Sequence, residues 1–294
     1  MEVIPAKHII YKSKNPSFWF GADYNMNIYR GCPHGCIYCD SRSECYQNPD
    51  FDTVKVKEDA LIKIRDDLRR KVKSGIVSTG AMSDPYNPFE EKMKLTRNSL
   101  ELLNAYGFGV AIDTKSPLVT RDIDILRDIK RHSPVIVKMT ITTADPELCR
   151  KLEPHVPDSN RRFDALKMLS DAGIYCGVLM MPILPFINDS EKNIIEILEK
   201  SKQSGARFVY PAMSMTLRDG NREYYYQKLD RLFPGVKEKY IATFANQYVC
   251  NSKNAKNLWK TFETNCAKLD LIYDMKAIIK SYKSGYGDSQ LSFF

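Results

Sequence analysis

The sequence predicts an α/β fold, an open, partial (β/α)6 barrel of the TIM type with a mainly helical C-terminal extension. Short β-branched runs alternate with amphipathic helices from residue 24 to residue 215, the pattern of βα units around a parallel sheet. Six such units can be traced, fewer than the eight that close a full barrel. Beyond Thr216 the alternation stops and only helical periodicity continues.

The elements follow in order. A first strand is expected over residues 25–30, running straight into a cysteine-rich loop. A helix over 57–73 follows, because Leu61, Ile64, Leu68 and Val72 recur at spacings of three and four. Strands are then expected over 75–81, 109–115, 134–143, 174–183 and 207–215. The helices between them span 97–106, a segment carrying Ile123, Leu126 and Ile129 for which Thr120 can serve as cap, 161–172 ending at Gly173, and 191–204. Three helical segments complete the chain at 223–232, 236–245 and 255–282, the last with a break. The organisation is an N-terminal extension (1–23), the barrel (24–215), the helical extension packed on it (216–283) and a flexible tail (284–294).

Composition narrows the function classes. The 294 residues hold 44 Lys and Arg against 36 Asp and Glu, a net charge of +8, with 43% hydrophobic and 27% charged residues. These fractions suit a globular protein and exclude disordered, collagen-like and low-complexity readings. The first ten residues hold no apolar signal core, and no run nears the roughly 18 residues of a membrane span. A cytoplasmic protein with reduced thiols, without a membrane role, is therefore expected. Of the eight cysteines, Cys32, Cys36, Cys39 and Cys45 crowd together while Cys149, Cys176, Cys250 and Cys266 are scattered. Such clustering points to metal ligation before disulfides.

Cys32, Cys36 and Cys39 are spaced by four and three in a loop that opens at Gly31. Three thiolates so spaced can hold three irons of a 4Fe-4S cluster, with Gly31 and Gly35 allowing the φ angles that turn the sulfurs inward. A structural zinc completed by Cys45 or His34 is the alternative reading of the same residues.

The Cys-x3-Cys-x-aromatic-Cys motif, placed after the first strand of a partial barrel, resembles the radical S-adenosylmethionine (SAM) superfamily. The resemblance covers residues 25–215 and implies a 4Fe-4S cluster that binds SAM and cleaves it to a 5′-deoxyadenosyl radical. It also implies an electron donor such as flavodoxin or ferredoxin. Further segments are similar to the spore photoproduct lyase group. By that similarity Ser83 and Asp84, after the second strand, would meet the SAM amino group. Lys115, after the third, would meet the carboxylate, and Thr140 and Thr142, on the fourth, the carboxylate or ribose. Pro182, in the run Met181-Pro182-Ile183-Leu184-Pro185, would form a ledge against adenine, with Tyr38 beside it.

The sequence departs from that group at two places. The lyases carry a hydrogen-donating cysteine just ahead of the Ser-Asp pair, where this chain has Ala81 and Met82. They carry a tyrosine after the third cluster cysteine, where this chain has Asp40. Cys45, Tyr46 and Tyr86 are the candidates for a replacement radical relay.

The chain ends Gln290-Leu291-Ser292-Phe293-Phe294, which looks like the pentapeptide by which bacterial polymerases and repair proteins dock on the β sliding clamp. Gln290, Leu291, Phe293 and Phe294 would be its contacts, a short-peptide mode of recognition. The net charge is compatible with DNA, and Arg69, Arg70, Lys71, Lys73, Lys253, Lys256 and Lys260 are candidate phosphate contacts. Three functions are thus expected in order: a radical SAM enzyme acting on damaged DNA, one acting on a small molecule, peptide or RNA, and a clamp-tethered DNA-binding protein whose cluster is structural or redox-sensing.

Overall fold

The computed structural model describes residues 1–71 and 73–286. The chain opens with two short strands, β1 (Glu2–Ile4) and β2 (Ile10–Lys12), and a 3-10 turn at Trp19–Gly21. β3 (Tyr24–Met26) and β4 (Tyr29–Arg30) lead into the cysteine loop, and β5 (Lys55–Lys57) leaves it. Then follow α1 (Ala60–Arg69), β6 (Ile76–Thr79), α2 (Glu90–Met93), α3 (Leu95–Ala105), β7 (Gly109–Thr114), α4 (Ile123–Lys130) and β8 (Val135–Thr140). The barrel ends with α5 (Pro146–Leu152), α6 (Ser159–Asp171), β9 (Tyr175–Met180), α7 (Glu191–Gln203) and β10 (Phe208–Pro211). The extension holds β11 (Ser214–Thr216), α8 (Asn221–Leu232), α9 (Val236–Phe244), β12 (Val249–Asn251), α10 (Ala255–Leu269) and α11 (Met275–Lys283).

Six parallel strands run in the order β3-β6-β7-β8-β9-β10, and β2 adds an antiparallel edge beside β3. The sheet stays open between β2 and β10, so the expected partial barrel is what forms. Strand alternation sorts its side chains. Val77, Val110, Ile112, Val137, Cys176 and Val178 face the helices, while Ile76, Ala111, Ile136, Leu179 and Phe208 fill the barrel. Phe20 plugs this inner layer from below, its carbonyl accepting the Tyr282 hydroxyl of α11 at 2.6 Å. One layer higher Asp113 and Lys138 form a buried ion pair at 2.7 Å. Parity then delivers the next inward positions, Lys115 and Thr140, to the barrel mouth.

Three expectations are corrected. The first strand does not run on to Arg30: the chain leaves the barrel after Met26, and β4 joins a separate sheet in the order β1-β5-β4. The strand expected over 207–215 breaks at Pro211, which has no N–H, and β11 turns away to pair antiparallel with β12. Thr120 caps nothing, because Pro117–Asp122 forms a 3-10 turn whose cap is the Ser116 oxygen. The edge strand β2 was not foreseen. Asp67 of α1 anchors its start, accepting the backbone N–H of Ile9 at 2.8 Å and of Ile10 at 3.0 Å.

The extension packs on the barrel. Leu258, Phe262 and Cys266 form the buried face of α10, and Val209 of β10 donates to the Ile272 carbonyl at 2.9 Å. The described start of the tail is held too: the Tyr286 hydroxyl donates to the Lys130 carbonyl at 2.6 Å, at the N-terminal end of the sheet. Gln290, Leu291, Phe293 and Phe294 lie outside the described residues. No helix among the described residues is long and apolar enough to cross a membrane.

Candidate active site

The cysteine loop leaves β4 at the C-terminal end of the sheet, and two glycines shape it. Gly31 has φ +83, and a Cβ there would strike the Thr53 carbonyl oxygen. Gly35 has φ +66, and a Cβ would lie 2.8 Å from the His155 ring. Both positions need glycine for conformation and for space. The loop is fastened from below, with Ile37 donating its N–H to the Leu152 carbonyl at 2.9 Å.

Cys32, Cys36 and Cys39 line one cavity together with His34, Ala81, Met82, Ser83, Asp84, Lys115 and Thr140. Residues from the loops after β4, β6 and β7 and from the end of β8 are thus brought to a single opening. Asp84 ties two of these strand ends together. Its Oδ1 accepts the Thr114 hydroxyl at 2.7 Å and the Tyr86 N–H at 2.9 Å, and its Oδ2 accepts the Lys115 N–H at 2.8 Å. His34 Nδ1 lies 3.6 Å from the same Oδ2. The Ser83 hydroxyl donates to the Gly31 carbonyl and closes the loop onto β6.

The electrostatics suit a metal cluster. Burial, with the Asp84 charge nearby, pushes the Cys32 thiol up to about 11, and burial also raises Cys36 well above its ordinary value. Such thiols release their protons to a bound metal rather than to water. Burial works against the Lys115 ammonium, but the fields of Cys36, Glu153 and Cys39 outweigh it and raise its pKa above the lysine value. Burial lowers His34 more than Asp84 raises it, so its imidazole stays neutral at pH 7. Among the described residues, no three His, Cys, Asp or Glu side chains converge closely enough for a single metal ion. Cys32, Cys36 and Cys39 nevertheless share one cavity wall, each thiol available to a separate iron of a cluster.

Beneath the cysteine loop lies a buried polar network that the sequence did not announce. Tyr38 donates its hydroxyl to Glu153, and Arg162 meets the other Glu153 oxygen at 2.5 Å, with both charged side chains about 1% exposed or less. Arg162 also donates to the carbonyls of Thr140 at 3.0 Å and Pro157 at 2.8 Å. Burial raises the Glu153 pKa, but Arg162 and Lys115 more than offset it and hold the carboxyl below its ordinary value.

The other expected residues sort as follows. Tyr38, Thr142 and Pro182 stand outside the cavity wall: Tyr38 is tied to Glu153, Thr142 keeps a buried hydroxyl without a partner among the described residues, and Pro182 follows β9 half-buried. Of the relay candidates, Tyr86 is buried in the main core under Arg121, far from solvent. Cys45 is exposed on a different cavity, 3.3 Å from an Arg218 nitrogen. Tyr46 lines a second cavity that adjoins the first. The scattered Cys149, Cys176, Cys250 and Cys266 are all buried core residues.

A family model described as the radical SAM superfamily matches residues 26–198, more than half of the 294. An uncharacterized protein of Mycobacterium tuberculosis is 31% identical over 224 residues, 74% of this chain and 66% of the relative's own length. Another, of Methanocaldococcus jannaschii, is 36% identical over 183 residues, 61% of this chain and 68% of the relative. Among solved structures, spore photoproduct lyase complexed with dinucleoside spore photoproduct superposes with a TM-score of 0.66 at 16% identity, covering 91% of this chain and 79% of that one. A radical S-adenosylmethionine methyltransferase from Kitasatospora setae gives a TM-score of 0.54 at 11% identity, covering 83% of this chain and 51% of that one. At such identities these two show a shared fold. The family match, the open parallel barrel and the three thiols at its mouth agree, and the chain belongs to the radical SAM superfamily.

Proposed function

We propose that this enzyme reductively cleaves SAM in the cytosol and directs the resulting radical at damaged DNA. The observation that carries the SAM part is the single cavity that joins Cys32, Cys36 and Cys39 to Ser83, Asp84, Lys115 and Thr140. Members of the superfamily use a 4Fe-4S cluster and SAM, which when bound supply one-electron cleavage of a sulfonium and a carbon radical able to abstract hydrogen. Cys32, Cys36 and Cys39 would hold that cluster, with flavodoxin or ferredoxin as electron donor. Lys115 offers a fixed cation for the SAM carboxylate. Asp84, already oriented by Thr114 and the Lys115 backbone, offers its remaining lone pairs to the amino group. Ala81 and Met82 form part of the wall and carry no O–H or S–H to donate. The site is therefore not built to return a hydrogen atom from the position where the photoproduct lyases do so.

DNA as the substrate is supported by the fold shared with a lyase solved with a dinucleoside photoproduct, and by the net charge of +8. Lys253, Lys256 and Lys260 stand exposed at and along α10, as do Arg69 and Arg70 at the end of α1. Reconstituted protein reduced with dithionite is expected to form 5′-deoxyadenosine from SAM, and severalfold more with ultraviolet-damaged DNA than with undamaged DNA. Formation that no DNA stimulates would move the assignment to a small-molecule, peptide or RNA substrate. No formation at all would leave a structural or redox-sensing cluster.

The β sliding clamp is a proposed partner on the residue pattern of 290–294 alone. The last described contact before those residues, the Tyr286 hydroxyl on the Lys130 carbonyl, lies at the end of the sheet opposite the cysteine cavity. Deleting residues 290–294 is expected to lower the affinity for purified clamp at least tenfold in surface plasmon resonance. Equal affinity of the intact and shortened chains would refute the partnership.

A further inference from the structure

A second cavity, of about 170 Å³, opens beside the cysteine cavity and shares Ser41, Phe51, Met82 and Ser83 with it. It is too small for a drug-sized ligand, whose pockets hold roughly 300–1,000 Å³, and large enough for one planar ring. Its walls are the rings of Tyr29, Tyr46 and Phe51 and the Met82 thioether. Both tyrosine hydroxyls are committed elsewhere, Tyr29 to Glu90 at 2.5 Å and Tyr46 to Asp40 at 3.3 Å. The rings, not the phenol oxygens, are what these residues offer the cavity.

The polar groups are equally selective. Asn27 and Asn48 line the cavity half-buried, and no hydrogen bond to either side chain forms among the described residues. Each amide holds both a donor and an acceptor, the pair needed to read the edge of a heterocycle. Arg30 and Lys57 also line it, and no carboxylate does. Arg30 donates to the Gln47 carbonyl at 2.5 Å, and neither cation has an ion-pair partner among the described residues. Burial and the neighbouring Arg30 charge both depress the Lys57 pKa, a cost that a bound anion would relieve.

We propose that this cavity is the substrate compartment of the enzyme and takes one base of a nucleic-acid strand, with that nucleotide's phosphate on Arg30 and Lys57. The assignment rests on the DNA reading above and sharpens it. Aromatic walls stack on the base, the asparagine amides meet its edge, and Met82 and Ser83 place it next to the cysteine cavity. A base inside a duplex cannot enter such a slot without leaving its stack. Single strands and lesions that are already unpaired are therefore preferred to intact duplex.

The test is fluorescence anisotropy of the full chain with a labelled ten-residue oligothymidylate and with an abasic ten-mer of equal charge. The wild-type chain is expected to bind the thymidylate roughly 5- to 100-fold more tightly, the range that base stacking commands. Asn48→Ala narrows that preference while leaving abasic affinity intact. Lys57→Gln weakens both oligomers and lowers the salt slope by about one. A general loss of folding would move both oligomers together in every variant and would leave the salt slope without a specific change. Equal wild-type binding of the two oligomers overturns the base compartment. So do variants that bind like wild type while damaged DNA still stimulates 5′-deoxyadenosine formation, an outcome that leaves the DNA reading standing. Absence of both oligonucleotide binding and DNA stimulation removes the two together.

Discussion

Cys36→Ala is expected to abolish 5′-deoxyadenosine formation and to leave the purified protein depleted of iron and acid-labile sulfide. Loss of a residue that merely orients a metal ligand costs roughly 10–100-fold in affinity or activity, so loss of a ligand should exceed a hundredfold. Cys36 is the sharpest of the three tests because it is the most buried of them, clustered with Ile37, Tyr38 and Leu152. Cys176→Ala, in a thiol equally buried on the helix-facing side of β9, should lower stability without touching iron content. Iron analysis and anaerobic SAM turnover of the two variants separate a ligand from a core residue. Full turnover by Cys36→Ala would overturn the assignment of the cysteine loop.

Arg162→Met is expected to cost about 3–5 kcal/mol of stability, the usual effect of leaving one charge of a buried pair without its partner. Glu153 would then stand ionised beneath the cysteine loop with the Tyr38 hydroxyl, the Cys149 thiol at 3.5 Å and the Lys115 field to stabilise it. The double variant Glu153→Gln/Arg162→Met removes both charges and should recover most of the loss. Urea unfolding of the apoprotein checks both values. A pH dependence accompanies this pair. The Glu153 pKa is lowered on folding, so its contribution is complete above the ordinary carboxylate range and is lost as the pH falls through the lowered folded value. In Arg162→Met that acid-side loss should shrink. Because Ile37 and His155 are bonded between this layer and the cysteine loop, the single variant should also load less iron.

Much of the catalytic end of the protein was legible because its signals are local. Three cysteines within eight residues fix their own neighbourhood, and Gly31 and Gly35 adopt the positive φ angles that such a loop requires. Ser83, Asp84 and Lys115 were singled out by the family resemblance, and their positions after successive strands put them at one end of the sheet, where loops that follow parallel strands must emerge. Alternation within β7 and β8 would have gone further, for it ranks Asp113, Lys115, Lys138 and Thr140 together as inward positions. A charge inside the apolar runs of 109–115 and 134–140 was the available sign of the Asp113–Lys138 pair.

What the residues indicated unaided is therefore the order of βα units, the resemblance to the superfamily and the grouping of Cys32, Cys36 and Cys39 in one loop. The tertiary structure alone decided which groups share a wall. Tyr38 and Glu153 are 115 residues apart and Arg162 lies nine further on, and nothing in their local sequence distinguishes them from surface charges. It also separated Cys45, Tyr46 and Tyr86, equal as relay candidates on chemistry, onto a third cavity, the adjoining cavity and the sealed core. Side-chain chemistry can be read from one position, but burial and proximity arise only when distant segments pack, because both depend on the atoms that displace water around a group.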